Sequence, residues 1–318
     1  MDGNLSANDI SHIVDADRAH VWHHLTQHKP FETGEPRIII EGKGMRVWDQ
    51  KGKEYLDAVS GGVWTVNVGY GRESIANAVR DQLIKLPYFA GSAGSVPGAL
   101  FAEKLISKMP GMSRVYQTNS GSEANEKAFK MVRQISHKRY GGKKYKILYR
   151  ERDYHGSTLA TMSAGGQDER NAQYGPFAPG FVRVPHCMEY RAQWDLTGEA
   201  YAAASVKAIE EVILAEGADT IGALCLEPVT AGGGVIPAPE GYWPLTGALC
   251  RKSDILLHID EVVCCVGRTG SACFGDHHYP FEPTSAPLAT DCAPRYADPF
   301  CYVAHYLVFD LFTHYPRH

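Results

Sequence analysis

Lysine runs out early in this chain: the last one is Lys252, and residues 253–318 contain none. That stretch therefore offers no side-chain amine as a nucleophile or imine-forming group. No apolar run is long enough to cross a bilayer as a helix. The N-terminus, Met1-Asp2-Gly3-Asn4-Leu5-Ser6, lacks the basic-then-apolar order of a secretory signal. Positive charge is not in excess: 32 basic residues face 36 acidic ones for a net charge of -4, which disfavours nucleic acid as a partner. None of the 8 cysteines forms a C-x-x-C pair, and several lie in apolar stretches. Reduced thiols in the cytoplasm are the expectation rather than a disulfide framework. Internal repeats and low-complexity tracts are missing as well.

What is present is ordinary globular composition, 44% hydrophobic and 21% charged, with room for one or two domains. The run Ile255-Leu256-Leu257-His258-Ile259-Asp260-Glu261-Val262 reads as a strand buried on both faces, as in a parallel α/β sheet. Its terminal carboxylates are costly to bury without a positive partner. Ligands of open α/β sheets sit at the carboxyl ends of strands, so Asp260 stands where a cationic group could be held. An isolated Asp there would equally serve as a cap for the next turn.

Along the chain, Asn8 to Lys29 reads as a helix with Ser11 as one possible cap. Residues 38–57 read as a small β meander, and Gly61 to Gly71 as an irregular glycine-rich segment around Trp64, itself a core residue by default. Helices are expected over Ser74–Leu86, Val96–Met109, about 121–140, Tyr201–Glu216 and Gly241–Lys252. Strands are expected near Val115, Ile147, Leu224 and Ile259, and Gly165 to Pro185 reads as loop. This alternation predicts a mostly parallel sheet covered on both faces. Asn119-Ser120-Gly121-Ser122-Glu123 opens a helix after a strand. It reads both as an anion site and as a capping box with Ser120 as the cap. With Tyr154-His155, Glu227 and Asp260, it places four chemically active strand ends at one sheet edge. Together they suggest a pocket for a ligand with an anion at one end and a basic ring nitrogen at the other.

These residues resemble the class III pyridoxal-phosphate-dependent aminotransferases. The matching segments run in the family's order from about Arg37 to Gly270. They are Gly62-Val63-Trp64 with 66–72, Thr118 to Asn125, Tyr154 to Thr158, Glu227-Pro228-Val229 with 231–235, and Asp260 to Val263 with Gly267-Arg268-Thr269-Gly270. The Trp64 segment is most similar to the ω-amine:pyruvate branch, which includes taurine–pyruvate aminotransferases. The resemblance implies a fold type I large domain and pyridoxal 5'-phosphate as cofactor. Ser120, Gly121 and Ser122 would hold the phosphate. Tyr154 would stack on one ring face, with His155 beside it in the cofactor site, and Val262 would pack on the other face. Asp260 would pair with the protonated ring nitrogen, keeping the ring an electron sink, and Glu227 would help orient it. Trp64 would line the substrate pocket. The implied substrates are a small amine donor and pyruvate, and the implied assembly is a homodimer.

The family also uses a Schiff-base lysine in an Ala-Lys-Gly type motif after the Arg-Thr-Gly segment. Spacing from Arg268 leads near Ala289, where Pro287-Leu288-Ala289-Thr290-Asp291-Cys292 is not that motif, so no catalytic residue is identified. Cys265 and Val266 replace the usual Gly and Phe, and the echo ends at Thr284. We therefore expect residues 1–60 to supply part of a small domain, 61–283 an incomplete cofactor-binding large domain, and 284–318 a divergent tail adding no sheet strand. A frameshift or truncation near Glu282 to Pro287 would account for this. Three outcomes follow: an aminotransferase by descent with negligible turnover, a non-catalytic cofactor binder, or a defective product with an exposed sheet edge. Cys273, His277 and His278 fit no standard zinc spacing, so no metal is expected.

Overall fold

The computed structural model describes residues 5–24, 26–89, 92–109, 112–192, 194–266 and 268 with their side chains. It also describes the backbone of Phe300–Val303 and Tyr306–Phe309. The chain divides into two compact units, Met1–Ala93 and Gly94–His318, and the sequence boundary at 60/61 falls inside the first.

In the first unit, α1 (Ala7–His20) starts at Ser6, whose side chain and Asp9 form a reciprocal capping box. It ends at His20, nine positions before Lys29, because Val21 turns extended; α2 (Lys29–Thr33) is a separate turn with Pro30 in its first positions. The meander comprises β1 (Ile39–Lys43), β2 (Arg46–Asp49) and β3 (Glu54–Leu56), paired antiparallel in that order. A kinked turn at Ser60–Trp64 follows, then α3 (Glu73–Lys85).

The second unit begins with α4 (Val96–Ile106) and β4 (Arg114–Gln117), which leads into α5 (Gly121–Tyr140). Next come β5 (Lys146–Arg150), the short α6 (Leu159–Ser163) and α7 (Asp168–Asn171), and β6 (Phe181–Val184). Thus Gly165 to Pro185 is not all loop. β6 is four residues long and mostly half-buried at the sheet edge, so its apolar pattern is weak. Then follow α8 (Gly198–Glu216), β7 (Ile221–Leu226), the hairpin β8 (Val229–Thr230) and β9 (Ile236–Pro237), α9 (Tyr242–Lys252) and β10 (Leu256–Asp260).

The large sheet has seven strands in the order β4-β12-β11-β10-β7-β5-β6, where β11 is Phe300–Val303 and β12 is Tyr306–Phe309. Only β12 runs against its neighbours. This corrects the expectation that the tail adds no strand: β11 pairs parallel with β10, and β12 fills the gap to β4. The aromatic and β-branched run Phe300-Cys301-Tyr302-Val303 suits a pleated, buried setting.

Side-chain alternation explains the layers. Leu224 and Leu226 of β7 and Leu257 and Ile259 of β10 join Ile209, Ile213, Tyr242 and Leu249 in the core under α8 and α9. Ala223 and Cys225 face the other way, into a smaller cluster with Phe129 and Val132 of α5. His258 is in that second layer, its ring 5.6 Å from that of Phe129. Asp260, two residues on, shares its face, and so α5 meets the one strand-end carboxylate that matters.

Candidate functional site

Three of the expected strand ends are true neighbours: β10, β7 and β5 adjoin in the sheet and carry Asp260, Glu227 and Tyr154-His155 just past or at their ends. The fourth, after β4, is not adjacent, being separated from β10 by β11 and β12. Helix α5 bridges that separation by running from the end of β4 back across the sheet. Ser120 caps it, its hydroxyl accepting from Glu123 N at 3.2 Å, while the Glu123 carboxylate accepts from Asn119 N at 2.8 Å. Ser120 is thus the N-cap, but Glu123 takes the N–H of Asn119 rather than that of Ser120, so the reciprocal bond of a capping box is not formed, and the helix N-terminus remains a donor-rich end.

The N-terminus of α5 lies close against the end of β10. A Cβ built on Gly121 would meet Val262 Cγ2 at 2.6 Å, so no larger residue fits without movement. Gly156, at φ 134°, comes equally near: a Cβ there would lie 2.5 Å from Ser122 Oγ. Ser122 Oγ also accepts from Ser157 N at 3.2 Å. Ser120, Gly121, Ser122, Val262 and the Tyr154-to-Ser157 loop are thus brought to one place.

Asp260 is the best-organised group. Its Oδ2 accepts from Asn125 Nδ2 at 2.8 Å and faces His155 Nδ1 at 2.8 Å, and its Oδ1 accepts from Val262 N at 3.1 Å. Burial opposes its ionisation, but the hydrogen bonds and charge contribution from His155, with Asn125, outweigh it and hold the carboxyl below its ordinary value. Four acceptor positions minus these three leaves, among the described residues, one on Oδ1, the acceptor that a cationic ring N–H would need. This acceptor fits a pyridinium.

Glu227 is 4% exposed, with Oε2 accepting from Tyr154 N at 2.8 Å and Oε1 from Ala231 N at 3.2 Å. Burial, then the charges of Asp153 and Asp260, push its pKa well up despite those donors. Tyr154 is half-buried, with the Arg170 guanidinium 5.0 Å from its ring centre. Glu261 is buried, and burial with the neighbouring Asp260 charge lifts its carboxyl to about 8. Trp64 belongs to the first unit, at a positive φ of 61° and 40% exposed. Gly267, Thr269, Gly270, Cys273, His277, His278 and Ala289 lie outside the described residues. Among the described residues no group of three His, Cys, Asp or Glu side chains could hold a metal.

Asn125, Arg150 and Asp153 were missed as site residues by sequence reasoning. Asn125 carried one signal: a polar residue one turn into a helix on its buried side.

A sequence model of the family described as aminotransferase class-III matches residues 30–286. The chain is 64% identical to a hypotaurine/taurine–pyruvate aminotransferase of Paracoccus denitrificans over 314 residues, 99% of this chain and 68% of that protein. It is 60% identical to a taurine–pyruvate aminotransferase of Rhodobacter capsulatus over 97% of this chain and 66% of that one. The chain thus spans about two thirds of the length of the curated relatives it matches. Among solved structures, an omega-transaminase of Pseudomonas jessenii in complex with PMP superposes with a TM-score of 0.84 at 31% identity, covering 93% of this chain and 65% of that one. An (S)-enantioselective omega-transaminase of Thermomicrobium roseum gives 0.82 at 34%, covering 94% and 66%.

Proposed function

This chain belongs to the class-III aminotransferase family, and from that premise we propose that it descends from an enzyme moving the amino group of taurine, hypotaurine or a similar ω-amine to pyruvate. The identity to taurine–pyruvate aminotransferases supports the amine class. The family's cofactor is pyridoxal phosphate, which when bound supplies an electron sink for carbanion chemistry.

This chain's own residues have separate tasks in the proposal. Ser120, Gly121 and Ser122 offer the helix N-terminus to the phosphate. Asp260 receives the ring N–H, and His155 and Asn125 hold the carboxylate still. Tyr154 and Val262 would pack the ring faces, and Glu227 would fix the ring edge. One observation carries the reading: the acceptor position that the described residues leave on the buried Asp260 beside the close approach of Gly121 and Val262.

The proton transfer and the covalent tether would need a lysine, and the stretch near Ala289 to which the family's spacing leads holds none. Of the earlier ones, Lys127 Nζ lies over the Tyr116 ring at 5.2 Å, and Lys146 and Lys252 pair with Glu216 and Glu210. The second reading is therefore the one we favour for this polypeptide: it binds the cofactor without a covalent link and forms little or no alanine. Titration with pyridoxal phosphate, followed by an alanine assay with taurine and pyruvate, tests both. Rapid alanine formation would refute the non-catalytic reading, and absence of binding would refute the cofactor site.

A second copy of the chain is the proposed partner. Ile75, Val79 and Leu83 form an i, i+4, i+8 stripe on α3, each more than half exposed. Sedimentation that finds only monomer at micromolar concentration would overturn this. No described helix is long and apolar enough to cross a membrane.

A further inference from the structure

Arg150 ends β5 with its side chain wholly buried, a costly place for a cation unless its partners repay the desolvation. Its Nη2 donates to Asp153 Oδ1 at 3.0 Å, to Thr230 Oγ1 at 3.0 Å and to the Glu227 carbonyl at 2.7 Å. Its Nη1 reaches Cys187 Sγ at 3.2 Å, and the guanidinium lies 5.7 Å from the Tyr242 ring centre. Asp153 is also fully buried; its Oδ2 accepts from Glu227 N at 2.9 Å and its Oδ1 from the Thr230 hydroxyl. The Glu227 residue is therefore gripped at both backbone groups, N–H by Asp153 and C=O by Arg150.

The location of this knot explains its presence. Backbone pairing between β5 and β7 ends at Tyr149 and Cys225. Beyond those residues no ladder fixes the two strand ends relative to one another, yet Tyr154 and Glu227 stand there. Twisted strands diverge past their last paired residue unless side chains hold them. Arg150 and Asp153 supply bonds in place of the missing rungs, and Glu227 returns one by accepting from Tyr154 N.

We propose that the Arg150–Asp153 pair is a positioning device that clamps the carboxyl ends of β5 and β7, so that Tyr154 and Glu227 are held at fixed positions beside Asp260 before any ligand arrives. What the clamp serves rests on the cofactor reading above; the clamp itself does not.

Native-state hydrogen exchange, resolved by residue, tests it in the full chain. In Asp153→Asn, the amides of Tyr154, Glu227 and Ala231 are expected to exchange at least tenfold faster, while Leu148 and Leu224 stay within twofold. The same variant is expected to bind pyridoxal phosphate at least tenfold more weakly by equilibrium dialysis. Should Asp153→Asn not fold, Thr230→Val removes one hydroxyl of the knot and is expected to speed the same three amides about threefold. Unchanged exchange at these amides overturns the proposal. So does uniform acceleration that includes Leu148, which is what a general loss of stability produces. Loosened amides with unchanged cofactor affinity also overturn the positioning role. If the parent chain binds no cofactor while exchange responds as stated, the cofactor reading fails and the clamp stands.

Discussion

Asn125 and Asp260, 135 positions apart in sequence, meet through a 2.8 Å hydrogen bond from amide to carboxylate. The same Asn125 amide donates to the His155 carbonyl at 2.7 Å, and His155 closes the triangle on Asp260. A helix, a post-strand loop and a strand end are thereby fixed around one negative charge. In a buried setting such a network is worth having only when every member is engaged. Among the described residues Asn125 Oδ1 and His155 Nε2 are still without partners and Asp260 Oδ1 keeps an acceptor position, so the network is one that a ligand would complete.

Replacing that carboxylate isolates its contribution. Asp260→Asn keeps the shape but removes the charge opposite a pyridinium. A charge-assisted hydrogen bond contributes about 1.5–3 kcal/mol, so pyridoxal phosphate affinity is expected to fall by roughly 10- to 150-fold. Equilibrium dialysis with the cofactor's absorbance measures this. Equal affinity of the variant and the parent would remove Asp260 from the site.

The absence of a lysine after Lys252 predicts how the cofactor leaves. After borohydride treatment and dialysis, no chromophore should remain, and the intact mass should be that of the unmodified chain. A retained mass increment mapped to Lys127, Lys130 or another lysine would show that an imine does form. The non-covalent reading would then be withdrawn.

Gly121 offers a steric test of the approach between α5 and β10. In Gly121→Ala the new methyl carbon would lie 2.6 Å from Val262 Cγ2, so one element must move. Alanine favours a helix by about 1 kcal/mol over glycine, but overpacking costs about 1–3 kcal/mol. The expected net effect is a loss of stability together with weaker phosphate binding. Adding Val262→Ala should restore much of it. A double-mutant cycle from denaturant melts measures the coupling, and strict additivity would mean the two elements do not press on each other.

Much of this was legible because the relevant signals are local. Ser120 with Glu123 has the spacing of a cap, and β7 and β10 are short apolar runs bounded by breakers. The end of α1 was not legible, since Val21, Trp22 and Leu25 continue an apolar pattern past the residue where the backbone turns extended. Strand β6 was hidden by its length and half-exposed edge position. Nothing local singles out Arg150 and Asp153; their partners, Cys187, Glu227 and Thr230, lie 37 to 80 residues away, and no period in the sequence points across that distance. The strands at Phe300 and Tyr306 were overlooked because that tail was read for a single lysine motif rather than for its own aromatic and β-branched runs.

The gene itself carries a prediction. If the departure after Pro283 is a frameshift, another frame downstream should encode an Ala-Lys-Gly motif at the family's spacing. Nucleotide sequencing through this region decides it, and a tail with no such motif in either alternative frame would establish the divergence as genuine.

Two buried groups predict the shape of the stability profile against pH. Among the described residues His258 has no hydrogen-bond partner on either ring nitrogen, and burial lowers its pKa to about 3. The unfolded chain then binds the extra proton between about 6.5 and that value, so stability falls as pH drops through this window. Glu261 behaves oppositely. Burial, with Asp260 adding to it, raises its carboxyl to about 8. The folded chain keeps a proton that the unfolded one loses above about 4.3, so stability falls as pH rises from there toward that value. Each slope approaches about 1.4 kcal/mol per pH unit. Where the windows overlap they oppose each other, which places a plateau at roughly pH 4.5–6.5. Glu227, whose pKa is also raised, tilts that plateau downward with rising pH and steepens the alkaline limb. Urea melts across pH 4–8.5 should show Glu261→Gln flattening the alkaline limb and His258→Gln flattening the acid one. An alkaline limb that is unchanged in Glu261→Gln would mean that this carboxyl is ionised in the folded chain, and that water or a cation reaches it.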